Sequence, residues 1–295
     1  MPKTLDTTPL NQHFGVEIRN IDLNEVTADH LYPQIRQAFE THTALLFRGQ
    51  DIPPETHLRL AQLFGPIEDR KADERKPGEA FDIPQVSNVQ ADGSISGEMD
   101  LHTLNLKANQ LWHTDSIFMP TPALTNILIA RVVTQTGGET ELASTRAAWR
   151  DMPQKLRERI EGRTIWHRYS HSRARISPDL AKLPMFHKWP DQPWKAVWTN
   201  PANGAEALYI ASHSVRIEGL DEAQSAGLVD ELIAFCTQPE YVYSHKWRVG
   251  DVLIWDERAA LHRGRPWPYE QPRTLSSICV TATEVDGLDS VKVEA

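Results

Sequence analysis

The sequence predicts a β-rich fold, a β-sandwich or jelly roll decorated by helices. Three observations predict it. Short apolar runs of strand length dominate, and clusters of Gly, Pro, Asn and Asp punctuate them. Helices cluster early in the chain and near its middle. No segment repeats, none is low-complexity and no linker composition divides the chain, so residues 1–295 read as a single domain.

The elements follow in order. "TADHLYPQIRQAFETH" (27–42) predicts a helix capped by Thr27, with Leu31, Ile35 and Phe39 at helical spacing. "TALLFRGQ" is a short strand ending at Gly49, and "PPETHLRLAQLFG" (53–65) a second helix between Pro and Gly. Residues 66–84 are charged and read as loop. "QVSNVQADGS" reads as a strand entering a turn at Asp92-Gly93, and residues 94–107, polar and without periodicity, as a loop able to close over a site. "TNILIARVV" (125–133) is a strong strand, and "TQTGGETELA" turns at Gly-Gly into another. "STRAAWRDMPQKLRERIEG" (144–162) predicts two helices broken at Pro153, and "TIWHRYSHS" (164–172) a strand. Residues 173–195, Pro-bearing and patternless, form a second candidate lid. "WKAVWTNPANGAEALYIAS" predicts a hairpin across Asn203-Gly204, and "DEAQSAGLVDELIAFCTQ" (221–238) a helix. "YVYSHKW", "DVLIWDE" and "TLSSICVTAT" are three late strands.

Composition narrows the function. Hydrophobic content of 40% and charged content of 24% suit a soluble globular enzyme. A formal net charge of −9 without a basic run argues against nucleic acid or an anionic membrane as partner. Two cysteines, Cys236 and Cys279, build neither a disulfide framework nor a Cys-based zinc site, and a reducing cytoplasm fits them. The N-terminal stretch carries no apolar signal-like segment, and no apolar run reaches membrane-spanning length.

The chemistry concentrates in "NQLWHTDSIF" (109–118). Side chains alternate along a strand, so His113 and Asp115, two apart, would face the same way there. A later histidine, His262 in "LIWDERAALHRGRPW", supplies a third candidate ligand. Two histidines and a carboxylate can hold a divalent metal on one face and leave positions open, whereas a structural zinc site is closed and tetrahedral. Arg273 opens the strand after the Pro-rich "RPWPYEQP". A strand–turn–strand path would bring it beside His262, where its guanidinium could fork onto a carboxylate; a surface arginine is the plainer reading. A metal with such an anchor suits a dicarboxylate keto acid.

"ANQLWHTDSIF", "TGGETELASTRAAW", "YVYSHKWRVGDVLIWDERAALHRGRPW" and "QPRTL" together resemble the taurine and 2,4-dichlorophenoxyacetate dioxygenases, Fe(II)- and 2-oxoglutarate-dependent oxygenases. The likeness runs from about Gly15 to Ala282 and includes "ALLFRGQ", "LAQLFGPIE" and "LYIASHSVRIEGL". It implies a double-stranded β-helix (jelly roll), with Fe(II) as cofactor and 2-oxoglutarate and O2 as co-substrates. It also implies a homo-oligomer, dimer or tetramer. By match, His113, Asp115 and His262 are the iron ligands. Arg273 pairs with the distal carboxylate of 2-oxoglutarate, Thr140 hydrogen-bonds the same molecule, and Asn109 lies near co-substrate and substrate. Trp112 and Trp255 read as core or pocket wall.

One departure bears on the substrate. Family members that act on sulfonates or phenoxyacetates often carry a further arginine soon after the co-substrate arginine; here the stretch is "TLSSICV". Ser277 supplies no charge, so other groups are candidates to hold a substrate: His102, His167, Arg168, Arg173, Arg175 and His213, with Ser277 as a neutral contact. The expected activity is hydroxylation of a small organic acid, with cleavage when the oxidised carbon bears O, N or S, releasing succinate and CO2. Alternatives are a tailoring oxygenase of secondary metabolism, a zinc-dependent hydrolase using the same three ligands, or a binding sandwich that merely contains His-X-Asp.

Overall fold

The computed structural model describes residues 5–76 and 78–293. Strands β1 (Thr7–Pro9) and β2 (Val16–Ile18) pair antiparallel. Helix α1 (Tyr32–His42) starts later than expected. Thr27 bridges to His30 and Leu31 instead of capping, and Leu31 takes φ +65°. Pro33 explains the start: lacking an N–H, proline is tolerated in a helix's first turn and not inside it. Strand β3 (Ala44–Phe47), helix α2 (Pro54–Phe64) and strand β4 (Gln85–Ser87) follow the sequence reading.

Part of the first candidate lid is ordered as helix α3 (Leu101–Ala108). Its buried positions are Thr103, Leu106 and Ala108. One large apolar side chain among three gives no visible stripe, which is why the periodicity was silent. Strands β5 (Ala123–Val132) and β6 (Thr140–Ser144) then lead into α4 (Thr145–Asp151), whose Ser144 cap accepts from Ala147 N at 3.1 Å. The chain breaks at Pro153 into α5 (Gln154–Arg157). Strand β7 (Thr164–His167) stops short, and Tyr169–Ala174 turns into α6. The supposedly patternless stretch holds α7 (Pro178–Ala181) and β8 (Gln192–Lys195). The Asn203-Gly204 hairpin joins β9 (Val197–Thr199) to β10 (Glu206–Leu208). After β11 (Ser214–Ile217), helix α8 (Glu222–Cys236) opens with a reciprocal Asp221–Gln224 capping box. Four strands close the fold, one more than expected: β12 (Val242–His245), β13 (Val252–Asp256), β14 (Ala260–Gly264) and β15 (Thr274–Thr281).

The main sheet has the order β1-β2-β3-β13-β5-β15-β4, antiparallel except at β2–β3. Three smaller sheets are β12-β6-β14, β11-β7-β8 and β10-β9. The central strands are apolar on both faces, which is why "ALLF", "NILIA" and "VLIW" show little alternation. Leu46, Leu128, Leu253 and Leu275 face Leu142 and Ala260 of β12-β6-β14 in one cluster. Leu45, Phe47, Ile127 and Ile254 pack on the other side against Ile35 and Phe39 of α1 and Leu60 and Phe64 of α2. The result is a jelly roll with helices on its outer face, and the site lies between the facing sheets.

Candidate active site

His113 is not on a strand. It exchanges backbone hydrogen bonds with His262 of β14, His113 N to His262 O at 3.0 Å and the reverse at 2.7 Å. Asp115 lies in the turn that follows, where Ser116 takes φ +59°. A bridge and a turn, rather than strand alternation, bring the two together. One ligand atom from each of His113, Asp115 and His262 lies within 4.8 Å of the others. Asp115 Oδ1 is 3.8 Å from His113 Nε2, and Oδ2 is 3.8 Å from His262 Nε2.

The surroundings fix how these atoms present themselves. His113 Nδ1 donates to the Leu111 carbonyl at 2.7 Å, which leaves the lone pair on Nε2. Asp115 Oδ2 accepts from Asn126 Nδ2 of β5 at 2.8 Å, and Asn126 Oδ1 accepts from Ser277 Oγ at 3.0 Å. Glu257, fully buried, accepts from Thr114 Oγ1 at 2.6 Å and from Asp115 N at 2.9 Å, and stands 3.5 Å from His262 Nδ1. One carboxylate thereby pins the His-X-Asp turn and faces the far nitrogen of the other imidazole. Burial, then the neighbouring His262, pushes the His113 imidazole well below its ordinary value. Burial alone would raise the Asp115 carboxyl, but His262, His113, Arg70 and the Asn126 hydrogen bond together hold it below the usual range. At His113 and Asp115 these are the protonation states a divalent ion needs, whereas at His262 burial is outweighed by the charges of Glu257 and Asp115, which raise the imidazole, so a bound ion would take the place of its proton.

The three line a cavity of about 450 Å³, together with Asn109, Thr140 and Arg273. Arg273 precedes β15 and is buried, 4% exposed. Its Nε and Nη2 donate to the Gly138 carbonyl at 3.2 and 2.9 Å, and Trp267 lies 4.9 Å from the guanidinium carbon. No carboxylate among the described residues pairs with it. Burial lowers its pKa to about 10, the mark of a cation short of a counter-charge. Thr140 Oγ1 accepts from Trp247 Nε1 at 3.0 Å, so its own proton is left for an acceptor in the cavity. Asn109 ends α3 and is locked to β14 through its carbonyl, which accepts from Gly264 N at 2.8 Å. The donor set fits a divalent ion, and the unpaired guanidinium in the same cavity fits the far carboxylate of a keto-diacid.

The candidate substrate residues divide. His102, Arg173, His213 and Ser277 line the cavity. His102 is tethered there, its Nε2 donating to the Ser87 carbonyl at 2.6 Å. His167, Arg168 and Arg175 do not line it, and those three expectations are corrected. His167 is buried within β11-β7-β8, its Nδ1 3.3 Å from Ser214 Oγ. Arg168 is exposed and forks onto Asp191 at 2.8 and 2.7 Å. Arg175 is exposed and lies 4.0 Å from Asp230. The cause is the helix where a strand was expected: α6 puts Tyr169 and Arg173, four apart, on one face and turns Arg168 and Arg175 away.

Sequence reasoning missed Asn126, Glu257 and Arg70. Asn126 had a signal, a lone amide in an otherwise apolar strand. Arg70 had none, lying in a charged loop; it reaches the cavity wall paired to Glu68 at 2.5 Å and Ser116 Oγ at 2.9 Å.

Comparison with known proteins bears on this arrangement. The family model described as "Taurine catabolism dioxygenase TauD, TfdA family" matches residues 6–279. An alpha-ketoglutarate-dependent 2,4-dichlorophenoxyacetate dioxygenase of Cupriavidus pinatubonensis is 33% identical over 90% of this chain and 94% of its own. The (S)-phenoxypropionate/alpha-ketoglutarate-dioxygenase of Sphingobium herbicidovorans is 30% identical over 93% of this chain and 94% of its own. The crystal structure of AAD-2 in complex with Mn(II) and N-oxalylglycine superposes with a TM-score of 0.88 at 30% identity, covering 95% of this chain and 99% of that one.

Proposed function

The chain belongs to the TauD/TfdA family and is an Fe(II)- and 2-oxoglutarate-dependent dioxygenase, and on that premise we propose that it hydroxylates a small carboxylic acid with His113, Asp115 and His262 holding the iron. The observation that carries the reading is the pairing, in one cavity, of this ligand trio with a buried guanidinium that lacks a carboxylate. The relatives named for phenoxy acids support a carboxylic acid as substrate. Where the hydroxylated carbon bears a heteroatom, the product collapses and the bond breaks.

Iron, when bound with 2-oxoglutarate, supplies the O2-dependent oxidation of a C–H bond coupled to decarboxylation of the keto acid to succinate and CO2. The chain's residues do the rest. His113 and His262 present Nε2. Asn126 and the Glu257-held turn set the rotamer and height of the Asp115 carboxylate. Arg273 offers the far carboxylate of 2-oxoglutarate the Nη1 hydrogens that Gly138 does not take, and the Thr140 hydroxyl donates to the same group. Trp255 and Trp267 exclude water from the walls.

A zinc hydrolase would use the three ligands and leave Arg273 without a role. Two measurements separate the readings. Iron(II) and 2-oxoglutarate added without oxygen should give a weak lilac charge-transfer band. His113→Ala and His262→Ala should lose both that band and acid-triggered succinate formation. Succinate release that persists in either variant would count decisively against this ligand assignment.

The same reading takes the chain as one dioxygenase domain working in the cytoplasm as a dimer or tetramer, which light scattering on the purified protein tests. Among the described residues no helix is long and apolar enough to cross a membrane.

A further inference from the structure

Two buried arginines on the cavity wall lack a carboxylate partner among the described residues, Arg273 and Arg173. The other arginines on the wall are paired: Arg70 with Glu68, Arg75 with Asp69, Arg263 and Arg265 with Glu141. If Arg273 serves the co-substrate, Arg173 is the buried cation left over among the described residues; Lys71, which also lines the cavity, is exposed. Leaving a charge buried and unpaired is destabilising, so a site that keeps one is built for an incoming partner.

Arg173 is held for such a role. It is 6% exposed. Its Nε donates to Asn105 Oδ1 of α3 at 3.3 Å, and its Nη1 donates to Ser172 Oγ at 2.9 Å and, more weakly, to His213 Nε2 at 3.4 Å. Tyr169 and Phe186 lie 4.5 and 5.3 Å from the guanidinium carbon. Every one of these partners is neutral, so they fix the fork without cancelling its charge. No described residue takes a hydrogen bond from Nη2. Arginine cannot accept, so the contact to His213 requires the lone pair on Nε2 and an uncharged ring. The His213 ring stands 6.2 Å from the His113 ring and 4.9 Å from Phe118, which stacks on Tyr169 at 3.7 Å. The guanidinium is thus one histidine away from the ligand trio, beside a flat aromatic wall. Ser277, in the cation-free stretch "TLSSICV", donates its hydroxyl to Asn126 Oδ1 at 3.0 Å.

We propose that Arg173, delivered by α6 and steadied by Asn105 and His213, is the subsite for the anionic end of the primary substrate, a carboxylate on an apolar body that packs along Phe118 and Tyr169. The inference rests on the dioxygenase reading above and adds a different wall for the substrate anion, α6 instead of β15.

The test uses the full chain with Fe(II) and 2-oxoglutarate, without oxygen. Phenoxyacetate and its neutral amide, 2-phenoxyacetamide, are the probes. The charge-transfer band reports the co-substrate site, and its shift on adding a probe reports the subsite. Wild type and Arg173→Met are both expected to form the band. Phenoxyacetate should shift it in the wild type and the amide should not. Arg173→Met should need roughly 10- to 100-fold more phenoxyacetate, the loss of one charge-assisted contact. A wild-type band that ignores phenoxyacetate overturns the inference. So does a variant whose dissociation constant stays within about three-fold of the wild type. A wild type without the band defeats the dioxygenase reading, and the inference falls with it. If Arg173→Met forms no band, Arg173→Lys decides: weakened binding with acid-over-amide selectivity retained supports the subsite, and unchanged binding or lost selectivity refutes it.

Discussion

At Arg273 the chain keeps a guanidinium in a buried wall, with the Gly138 carbonyl and the Trp267 face as its partners. A carboxylate that reaches it gains a charge-assisted contact and relieves an unpaired charge. Arg273→Gln should therefore raise the dissociation constant for 2-oxoglutarate roughly 10- to 100-fold. Ferrous binding in its absence should stay within a few-fold of wild type, both followed by calorimetry. Equal loss of metal and co-substrate binding would mean that Arg273 supports the fold rather than the ligand. That His113, Asp115, His262 and Arg273 meet in one cavity was legible because their chemistry is written in residue type and order. His113, Asp115 and His262 are metal-capable groups, and Arg273 follows a turn that returns the chain. What surrounds them was less legible. Glu257 looks like any surface acid until the fold buries it against Thr114 and the Asp115 amide. Arg168, Arg173 and Arg175 are interchangeable on paper, and only the helical turn from Tyr169 separates the one that faces inward.

The Gly137-Gly138 turn before β6 shows what an element does for the site. Both glycines have positive φ, +71° and +73°. A Cβ at Gly137 would strike the Pro266 carbonyl, and one at Gly138 would come within 3.0 Å of Arg273 Nε. The turn is thus pressed against two segments, the 266–267 stretch and the Arg273 side chain. Gly138→Ala should displace the guanidinium and cost about 1–3 kcal/mol of backbone strain. The expected readout is a KM for 2-oxoglutarate raised several-fold or more, with the metal affinity kept; an unchanged KM would show that the arginine can give way freely. This turn was readable because Gly-Gly has few other uses between strands. Helix α3 was not, since its buried face is mostly small or polar. Strand β14 was hidden because its five residues include His262, Arg263 and Gly264, poor strand signals that the β6 ladder overrides.

On the scale of the whole molecule, the apolar central strands and the outer helices α1, α2 and α8 were plain in the sequence, because apolar runs, helical spacing and Pro-to-Gly bounds leave a pattern. The long-range charge contacts were not. Arg258 is fully buried and binds Glu40 Oε2 at 2.6 Å, Asp256 Oδ1 at 2.8 Å and the Asp286 carbonyl at 2.9 Å. These partners are spread from α1 to the C-terminal segment, and no local rule announces them. The three metal-capable residues are divided in the same way. His262 belongs to β12-β6-β14 and His113 is zipped to it, whereas the Asp115 carboxylate is held by Asn126 of the main sheet. An ion gripped by all three would act as a rivet through both layers of the roll. Stripping it with a chelator should quicken amide hydrogen exchange at residues 111–117 and 260–264 by at least several-fold, while α8 exchanges at its former pace. Uniform rates with and without the metal would mean that the layers cohere unaided. A rivet of this kind would make loss of iron a mechanical event as well as a chemical one: the emptied enzyme would loosen along the seam that walls its cavity.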